Sequence, residues 1–145
     1  MKLSVREDPA AVEIEVTVVC PRIDQRVQRI VAAVEMEDRR LAGVADGFLR
    51  VLSARDVLYA ETVDGRTFLY GEDKVYEATA TLAEIESHLA GTEFVRASRQ
   101  MLVNLAHVSG IRPYLNARLE LVLDNGECLI ASRQFAPIIK KRIGL

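Results

Sequence analysis

Three arginines in polar breaks between apolar runs are the residues of this sequence with the clearest chemical potential. The stretch FVRASRQMLVN (residues 94–104) holds Arg99 between apolar anchors, and Arg133 lies in a second basic segment, residues 132–134. Arg66 follows a predicted hairpin turn. Because a planar guanidinium can bond guanine O6 and N7 together, these three side chains are candidate readers of DNA bases.

Neighbouring polar and basic side chains can support such an interface. Amides can bond adenine edges or phosphates, and lysines supply salt-sensitive phosphate contacts. The predicted secondary DNA contacts are Arg96, Ser98, Gln100, Gln134, Asn116, Lys140 and Lys141. In the alternative interpretation, the arginines are scattered over the surface and pair with aspartates and glutamates.

The distribution of charge favours a basic face, although the total charge does not. The chain has 145 residues and a formal net charge of −2, which by itself argues against a polyanionic partner. Residues 44–95 carry four basic and ten acidic residues, whereas residues 96–145 carry eight basic and three acidic residues. This asymmetry predicts a positive face built from the C-terminal third, with a solvated mixed surface as the alternative.

Several classes of function find no support in the residue types. His88 and His107 lack a cysteine or carboxylate at ligand spacing, and no nucleophile elbow or phosphate-binding loop is present. We therefore expect no enzymatic activity, cofactor or metal. Cys20 and Cys128 lie in apolar runs, which predicts buried reduced thiols. Neither a signal-peptide pattern nor a bilayer-spanning apolar run occurs, so we expect a cytoplasmic location.

The N-terminal part of the chain, residues 1–47, is predicted to form a small β-α-β appendage. Residues 11–20 alternate apolar with mostly polar side chains, which is typical of a half-buried strand. Apolar residues at helical spacing from Ile23 to Val34 predict an amphipathic helix that buries this face. One or two strands follow within residues 39–52, with Asp46-Gly47 as a turn candidate. We interpret the appendage as a dimerisation or partner-contact unit.

Short strands joined by tight turns dominate from residue 48 onwards. Asp64-Gly65 predicts a hairpin turn, and Thr81 to Glu84 fits a capping box before a short helix. Ser132 is a candidate cap for a last helix, although Pro137 favours a start a few residues later. The predicted fold class is mainly β: an antiparallel multi-sheet domain with short helices, residues 48–145, preceded by the appendage.

The segment from Val57 to Leu145 resembles the LytTR DNA-binding domain found at the C-terminus of many bacterial response regulators. The match covers about 90 of the 145 residues. Its pieces occur in family order: DVLYAE at 56–61, TLAEIESHL at 81–89, FVRASRQMLVNLAHVSGI at 94–111, LVLDNGECLIASRQF at 121–135 and KKRI at 140–143. RPYLNARLE, followed by NGE and SRQF, resembles a subfamily of short stand-alone regulators without a phosphoacceptor receiver domain.

The resemblance implies a transcriptional regulator with an all-β domain of three antiparallel sheets. Such a domain binds direct DNA repeats as a pair of copies and inserts loop residues into successive major grooves. The resemblance puts base-reading side chains at Arg99, at Arg133, and at Arg66 or Thr67. Many members have His where this chain has Ser98 and Ser where it has Gln100, so its preferred base sequence can differ. The subfamily further implies a regulatory integral-membrane protein encoded nearby.

A second hypothesis is a protein-interaction module that is bound by a membrane partner and has lost DNA reading. The acidic segment 44–95 favours it. This hypothesis predicts that Arg99 and Arg133 lie on different faces or are locked in buried ion pairs, whereas the DNA-binding hypothesis predicts that they lie together.

Overall fold

The computed structural model describes the whole chain, residues 1–145, and contains three α-helices and ten strands. The helices are α1 (Gln25–Glu37), α2 (Leu82–His88) and α3 (Ala136–Arg142). The strands are β1 (Arg40–Ala45), β2 (Phe48–Ser53), β3 (Tyr59–Val63), β4 (Arg66–Tyr70), β5 (Val75–Ala78), β6 (Phe94–Ser98), β7 (Met101–Asn104), β8 (Val108–Tyr114), β9 (Arg118–Leu123) and β10 (Cys128–Ala131). None of the helices combines the length and apolar character that a membrane crossing requires.

The ten strands form two sheets, and every pairing in them is antiparallel. The larger sheet has the order β2-β1-β5-β4-β3-β7-β6, and the smaller has the order β10-β9-β8. This confirms the predicted mainly β class. The resemblance implied three sheets, but β3 pairs with both β4 and β7, so the strands before and after α2 belong to one sheet.

Two hydrophobic cores lie on opposite faces of the larger sheet. One core joins strands β3, β6 and β7 to the smaller sheet and α3, through residues such as Val103, Leu121 and Ile139, which are each 0% exposed. The other core packs α1 and α2 against the opposite face through Met36 and Ile85. The smaller sheet therefore covers only the β3-β7-β6 end of the larger one.

Two hairpin turns were predicted correctly from Asp-Gly pairs. Asp46-Gly47 joins β1 to β2 and Asp64-Gly65 joins β3 to β4, and all four residues have positive φ, between 52° and 78°. Two successive left-handed residues define the type I′ turn, whose twist matches that of the flanking strands. Because Asp and Gly tolerate this conformation, local sequence sets the register of both hairpins.

The predicted capping box before α2 is also confirmed. The Glu84 amide donates to Thr81 Oγ1 and the Thr81 amide donates to Glu84 Oε1, each at 3.2 Å. These bonds satisfy backbone donors that the first helical turn leaves free. Leu82 and Ile85 of the helix are buried against the larger sheet.

The strand predicted at residues 11–20 is not formed. This segment has no strand geometry, and its apolar side chains are open to solvent, with Ile14 94% and Val16 56% exposed. Its alternating pattern suits a strand, but no neighbouring strand offers it a backbone partner in the single chain. A strand without a partner leaves its hydrogen-bonding groups unpaired and gains no stability from the pattern alone.

The helix predicted after this segment is formed, but with the opposite face buried. Asp24 caps α1 by accepting from the Val27 amide at 3.0 Å, and the buried residues of the helix are Ala32 and Met36. These lie about half a turn away from the apolar row that the sequence predicted to be buried. Val31 and Val34 in that row are 45% and 36% exposed. The face of α1 that carries Ala32 and Met36 therefore packs against the core, and the face that carries the apolar row remains uncovered.

The cysteines are reduced but not buried as predicted. Cys20 is half-exposed and Cys128 is exposed. Cys128 lies on β10, whose residues alternate between outward and inward positions, and Leu129 and Ala131 are the inward ones. The apolar run therefore predicted the strand correctly, but Cys128, the first residue of β10, faces solvent.

The buried amide of Asn104 supports the segments around it. Asn104 is 0% exposed, its Nδ2 donates to the Val57 carbonyl at 3.0 Å, and its Oδ1 accepts from the Ala106 amide at 3.1 Å. A buried amide with both partners present is a structural element, because each bond satisfies a backbone group that water cannot reach.

We predict that Asn104→Ala lowers the free energy of unfolding by about 2–3 kcal/mol, because the Val57 carbonyl and the Ala106 amide lose their partner. Urea denaturation followed by circular dichroism measures this loss. Asn125→Ala is the matched control, since the exposed Asn125 side chain also accepts a backbone bond, from the Glu127 amide at 3.0 Å. The control should lose less than about 1 kcal/mol; an equal loss in both variants would contradict the role of burial.

Candidate nucleic-acid interface

The first basic turn joins β6 to β7 and presents Arg99 and Gln100 to solvent. Phe94, Val95 and Met101 on either side are buried, so the two strands are fixed in the core while the turn projects. Ser98 Oγ accepts from the Gln100 amide at 3.2 Å, and the Gln100 carbonyl accepts from the Thr62 amide at 2.8 Å. The turn is therefore fastened to the neighbouring strand β3.

The second basic turn joins β10 to α3 and presents Arg133 and Gln134. The Ser132 carbonyl accepts from the amides of Phe135 and Ala136, at 3.1 and 2.9 Å, which closes the turn. The predicted cap at Ser132 is wrong, because α3 begins at Ala136 and the buried Ser132 Oγ bonds no protein group. Proline at the start of the helix agrees with this later start.

One backbone bond holds the two turns together, although they belong to different sheets. The Ser132 amide donates to the Ala97 carbonyl at 2.8 Å. Ala97 and Ala131, the residues just before the two serines, are each 0% exposed. Their small side chains allow β6 and β10 to approach closely in the core. The turns together line an open depression of about 600 Å³, all of whose lining residues are polar: Ser98, Arg99, Gln100, Ser132, Arg133 and Gln134.

Arg99 and Arg133 have no acidic partner, unlike Arg96 and Arg112 in the same third of the chain. The seven ion pairs of the chain include Arg96 and Arg112 but neither of these two residues. Their guanidinium groups are exposed and free to bind an external anion or a base edge. The depression is therefore positively charged even though the chain carries a net negative charge.

Arg96 supports the first turn and does not line the depression. Its Nε lies 3.1 Å from Glu86 Oε2 of α2, and its Nη1 donates to the Arg99 carbonyl. The side chain is only 18% exposed. These contacts make Arg96 a positioning residue that links α2 to the turn carrying Arg99.

Arg66, the third predicted base reader, lies outside the depression. It begins β4, and its guanidinium makes two bonds to Glu77 of β5, at 2.8 and 2.5 Å. The hydrogen bond from Arg66 holds the pKa of the Glu77 carboxyl below its usual value. The β3-β4 turn before Arg66 nevertheless lies beside the first basic turn, because Thr62 of β3 bonds Gln100. Base reading by Arg66 remains a prediction and requires release from Glu77.

The β8-β9 hairpin turn brings a further polar group to the same end of the molecule. The register pairs Ala131 with Leu119, so the start of β9 lies next to Ser132. Asn116 occupies this turn with φ of 60°, and Arg118 follows it with its guanidinium 4.9 Å from the Tyr114 ring centroid. Sequence reasoning missed Tyr114 and Arg118 as neighbours of the second basic turn, because only the strand register brings them there.

The two predicted lysine contacts lie on α3, beyond the second turn. Lys140 and Lys141 are exposed, and the Lys141 carbonyl accepts from Gln25 of α1 at 3.1 Å. Arg142, next to them, donates to the Thr92 carbonyl at 2.7 Å. The lysines therefore lie on the helix that follows the second basic turn, whereas Arg142 joins α3 to the segment before β6.

Comparisons with known proteins give the same family as the resemblance. The family described as LytTr DNA-binding domain matches residues 48–144. The sensory transduction protein LytT of Bacillus subtilis is 31% identical over 91 residues, which cover 63% of this chain and 38% of that protein. The transcriptional regulatory protein LytR of Staphylococcus aureus is 24% identical over 139 residues, which cover 86% of this chain and 56% of that protein.

A solved structure shares the fold. A LytTr DNA-binding domain from Bacillus cereus superposes with a TM-score of 0.70 and 25% sequence identity, and the match covers 74% of this chain and 99% of that one. The chain spans about two fifths to just over half of the length of the curated relatives named above. The matched region contains both basic turns.

We predict that Arg96→Ala loosens the turn at Arg99 and Gln100 with little change in global stability. Backbone order parameters of residues 98–101 should fall below the rigid value of about 0.85 in ¹⁵N relaxation measurements. Glu86→Gln is the control, because it removes the ion pair but leaves the bond from Arg96 to the Arg99 carbonyl. Unchanged order parameters in Arg96→Ala would show that the turn is rigid without this side chain.

Proposed function

The chain belongs to the LytTR DNA-binding domain family, and on this premise we propose that it is a sequence-specific transcriptional regulator that reads the DNA major groove with its two basic turns. The observation that carries the proposal is the shared depression, in which Arg99 and Arg133 lie together without acidic partners. Arginine bonds guanine O6 and N7 at once, and the amides of Gln100 and Gln134 can bond adenine.

The proposed mode of binding uses two copies of the protein on a direct repeat. One depression is small, so each copy contacts one half-site, and repeats spaced by about one helical turn of DNA, about 10 base pairs, present successive major grooves on one side. Lys140 and Lys141 would hold phosphates beside each half-site. A DNA partner implies a cytoplasmic location, and catalysis has no part in this proposal.

We also propose that regulation of this protein does not use a phosphoacceptor receiver domain within residues 1–47. Residues 1–47 contribute α1 and β1, which is far less than the α/β layers of a receiver. A regulatory membrane protein as partner remains a prediction of the resemblance. The competing interaction-module hypothesis expected Arg99 and Arg133 on different faces or in buried ion pairs, and neither arrangement occurs.

We predict that Arg133→Ala weakens binding to the specific duplex by about 1–3 kcal/mol and binding to random DNA by much less, because a base contact is lost. The specific duplex is first selected from a random pool, and affinities are measured by fluorescence anisotropy at fixed salt. Arg112→Ala is the matched control, since Arg112 is an exposed arginine of β8 that pairs with Glu120 outside the depression. Equal losses on both DNAs would assign Arg133 to phosphate binding, and no binding to promoter fragments at low salt would refute the proposed function.

Lys140→Ala should give the opposite pattern. A lysine that contacts phosphate contributes similarly to all sequences, so affinity should fall by a similar factor on specific and random DNA. The slope of log affinity against log salt should decrease by about 1 for each lost phosphate contact. An unchanged slope would place Lys140 outside the interface.

A further inference from the structure

The outer edge of β2 is an unprotected strand edge with apolar side chains. β2 is the last strand of the larger sheet, at the end opposite β6. Phe48, Leu49 and Val51 are 62%, 64% and 64% exposed. An edge strand offers unpaired backbone groups to another strand, and natural proteins usually protect such edges with charge or cover. The β2 edge carries Arg50 as its one charged side chain.

The segment of residues 12–19 is a strand-forming sequence that lacks a partner. Its apolar side chains at 12, 14, 16 and 18 alternate with Glu13, Glu15 and Thr17. No backbone hydrogen bond joins residues 12–23 to the rest of the chain. The chain therefore contains an open strand edge and an unpaired strand sequence, and each supplies what the other lacks.

The side chains of the two segments are also complementary. Leu49 and Val51 lie on one face of β2, and Arg50 lies on the other, because side chains alternate along a strand. In residues 12–19, the apolar side chains likewise lie on one face and Glu15 on the other. Pairing the apolar faces places the glutamates of the segment beside Arg50, where opposite charges on neighbouring strands are favourable.

Within its own chain, the segment does not pair with β2. Gln25 Nε2 bonds the Lys141 carbonyl at 3.1 Å and Arg29 Nη2 bonds the Ile143 carbonyl at 3.2 Å, so α1 begins against α3. Helix α3 lies at the β6 end of the sheet, and six strand spacings, about 29 Å, separate β6 from β2. Residues 20–25 span at most about 22 Å when fully extended.

We propose that residues 12–19 of one copy add as an extra strand to the β2 edge of a second copy, and that the exchange is reciprocal in a two-fold dimer. This interface extends the larger sheet of each copy and covers the apolar edge. It uses no residue of the depression, so the dimer forms without DNA. Its failure would leave the proposed DNA reading untouched, and the reverse also holds.

Disulfide trapping between different copies tests the pairing directly. In a Cys20→Ser/Cys128→Ser background, a tagged Val16→Cys chain is mixed with an untagged chain carrying Leu49→Cys or Val51→Cys, and the mixture is oxidised. We expect a tagged-untagged disulfide dimer on a non-reducing gel, because neighbouring strands bring facing side chains within disulfide reach. Val5→Cys replaces Val16→Cys in the control, since Val5 is 89% exposed but lies outside the segment.

Trapping no stronger than with Val5→Cys would overturn the proposal. A chain that carries both Val16→Cys and Val51→Cys provides a second test. If it forms only an intramolecular disulfide, the segment covers the β2 edge of its own chain, and the proposal is wrong. Each variant is first checked by circular dichroism and thermal melting. None of residues 12–19 belongs to either hydrophobic core, so an unfolded variant is not expected.

The mass in solution gives an independent test without DNA. Light scattering after size exclusion should give about twice the chain mass of 16.1 kDa for the wild type. Ile14→Lys/Val16→Lys should shift the protein to the monomer mass, whereas Val5→Lys should not. Arg50→Glu should weaken the dimer, and adding Glu13→Arg/Glu15→Arg should restore it. A monomeric wild type, or a dimer unaffected by Ile14→Lys/Val16→Lys, would refute the exchanged strand.

Discussion

The close approach of β6 and β10 is the constraint on which the rest of the structure depends. The Ser132 amide meets the Ala97 carbonyl at 2.8 Å, and the fully buried Ala97 and Ala131 leave room for that contact. A larger side chain at either alanine would force the smaller sheet away from the larger one, since packed interiors tolerate little extra volume. Each basic turn begins directly after one of these two alanines. The packing of the core therefore sets the separation of the two turns before any ligand binds.

Acidic residues of the middle segment divide the arginines into two groups. Glu77 pairs with Arg66 and Glu86 pairs with Arg96, so these carboxylates neutralise arginines that face other elements. Arg99 and Arg133 remain free at the ends of the two sheets. The acidic segment, which had favoured an interaction module, thus supplies partners to part of the basic surface and leaves Arg99 and Arg133 of the depression unpaired. An exposed pair such as Arg66–Glu77 contributes little stability, but both pairs decide which guanidinium groups are available.

Local signals predicted the parts of the fold that local conformation controls. The Asp-Gly turns at 46–47 and 64–65 and the capping box at Thr81 formed as predicted, because each depends on a few neighbouring residues. The strand at 11–20 and the buried face of α1 were wrong, because both require a surface to pack against that the single chain does not provide. The periodicities were real, but a pattern states only that a face is apolar and does not identify what covers it.

The sequence by itself determined the candidate residues: two arginines in polar breaks, each flanked by apolar anchors, together with a net positive C-terminal third and the family's spacing. Only the tertiary structure decided which of the three predicted arginines share a site. Arg99 and Arg133 meet because the register of β10 on β9 and the core between the sheets bring their turns together, whereas Arg66 is held by Glu77. The reason is that side-chain type is a local property, but proximity between residues 34 positions apart depends on strand register and packing, which no short stretch of sequence encodes.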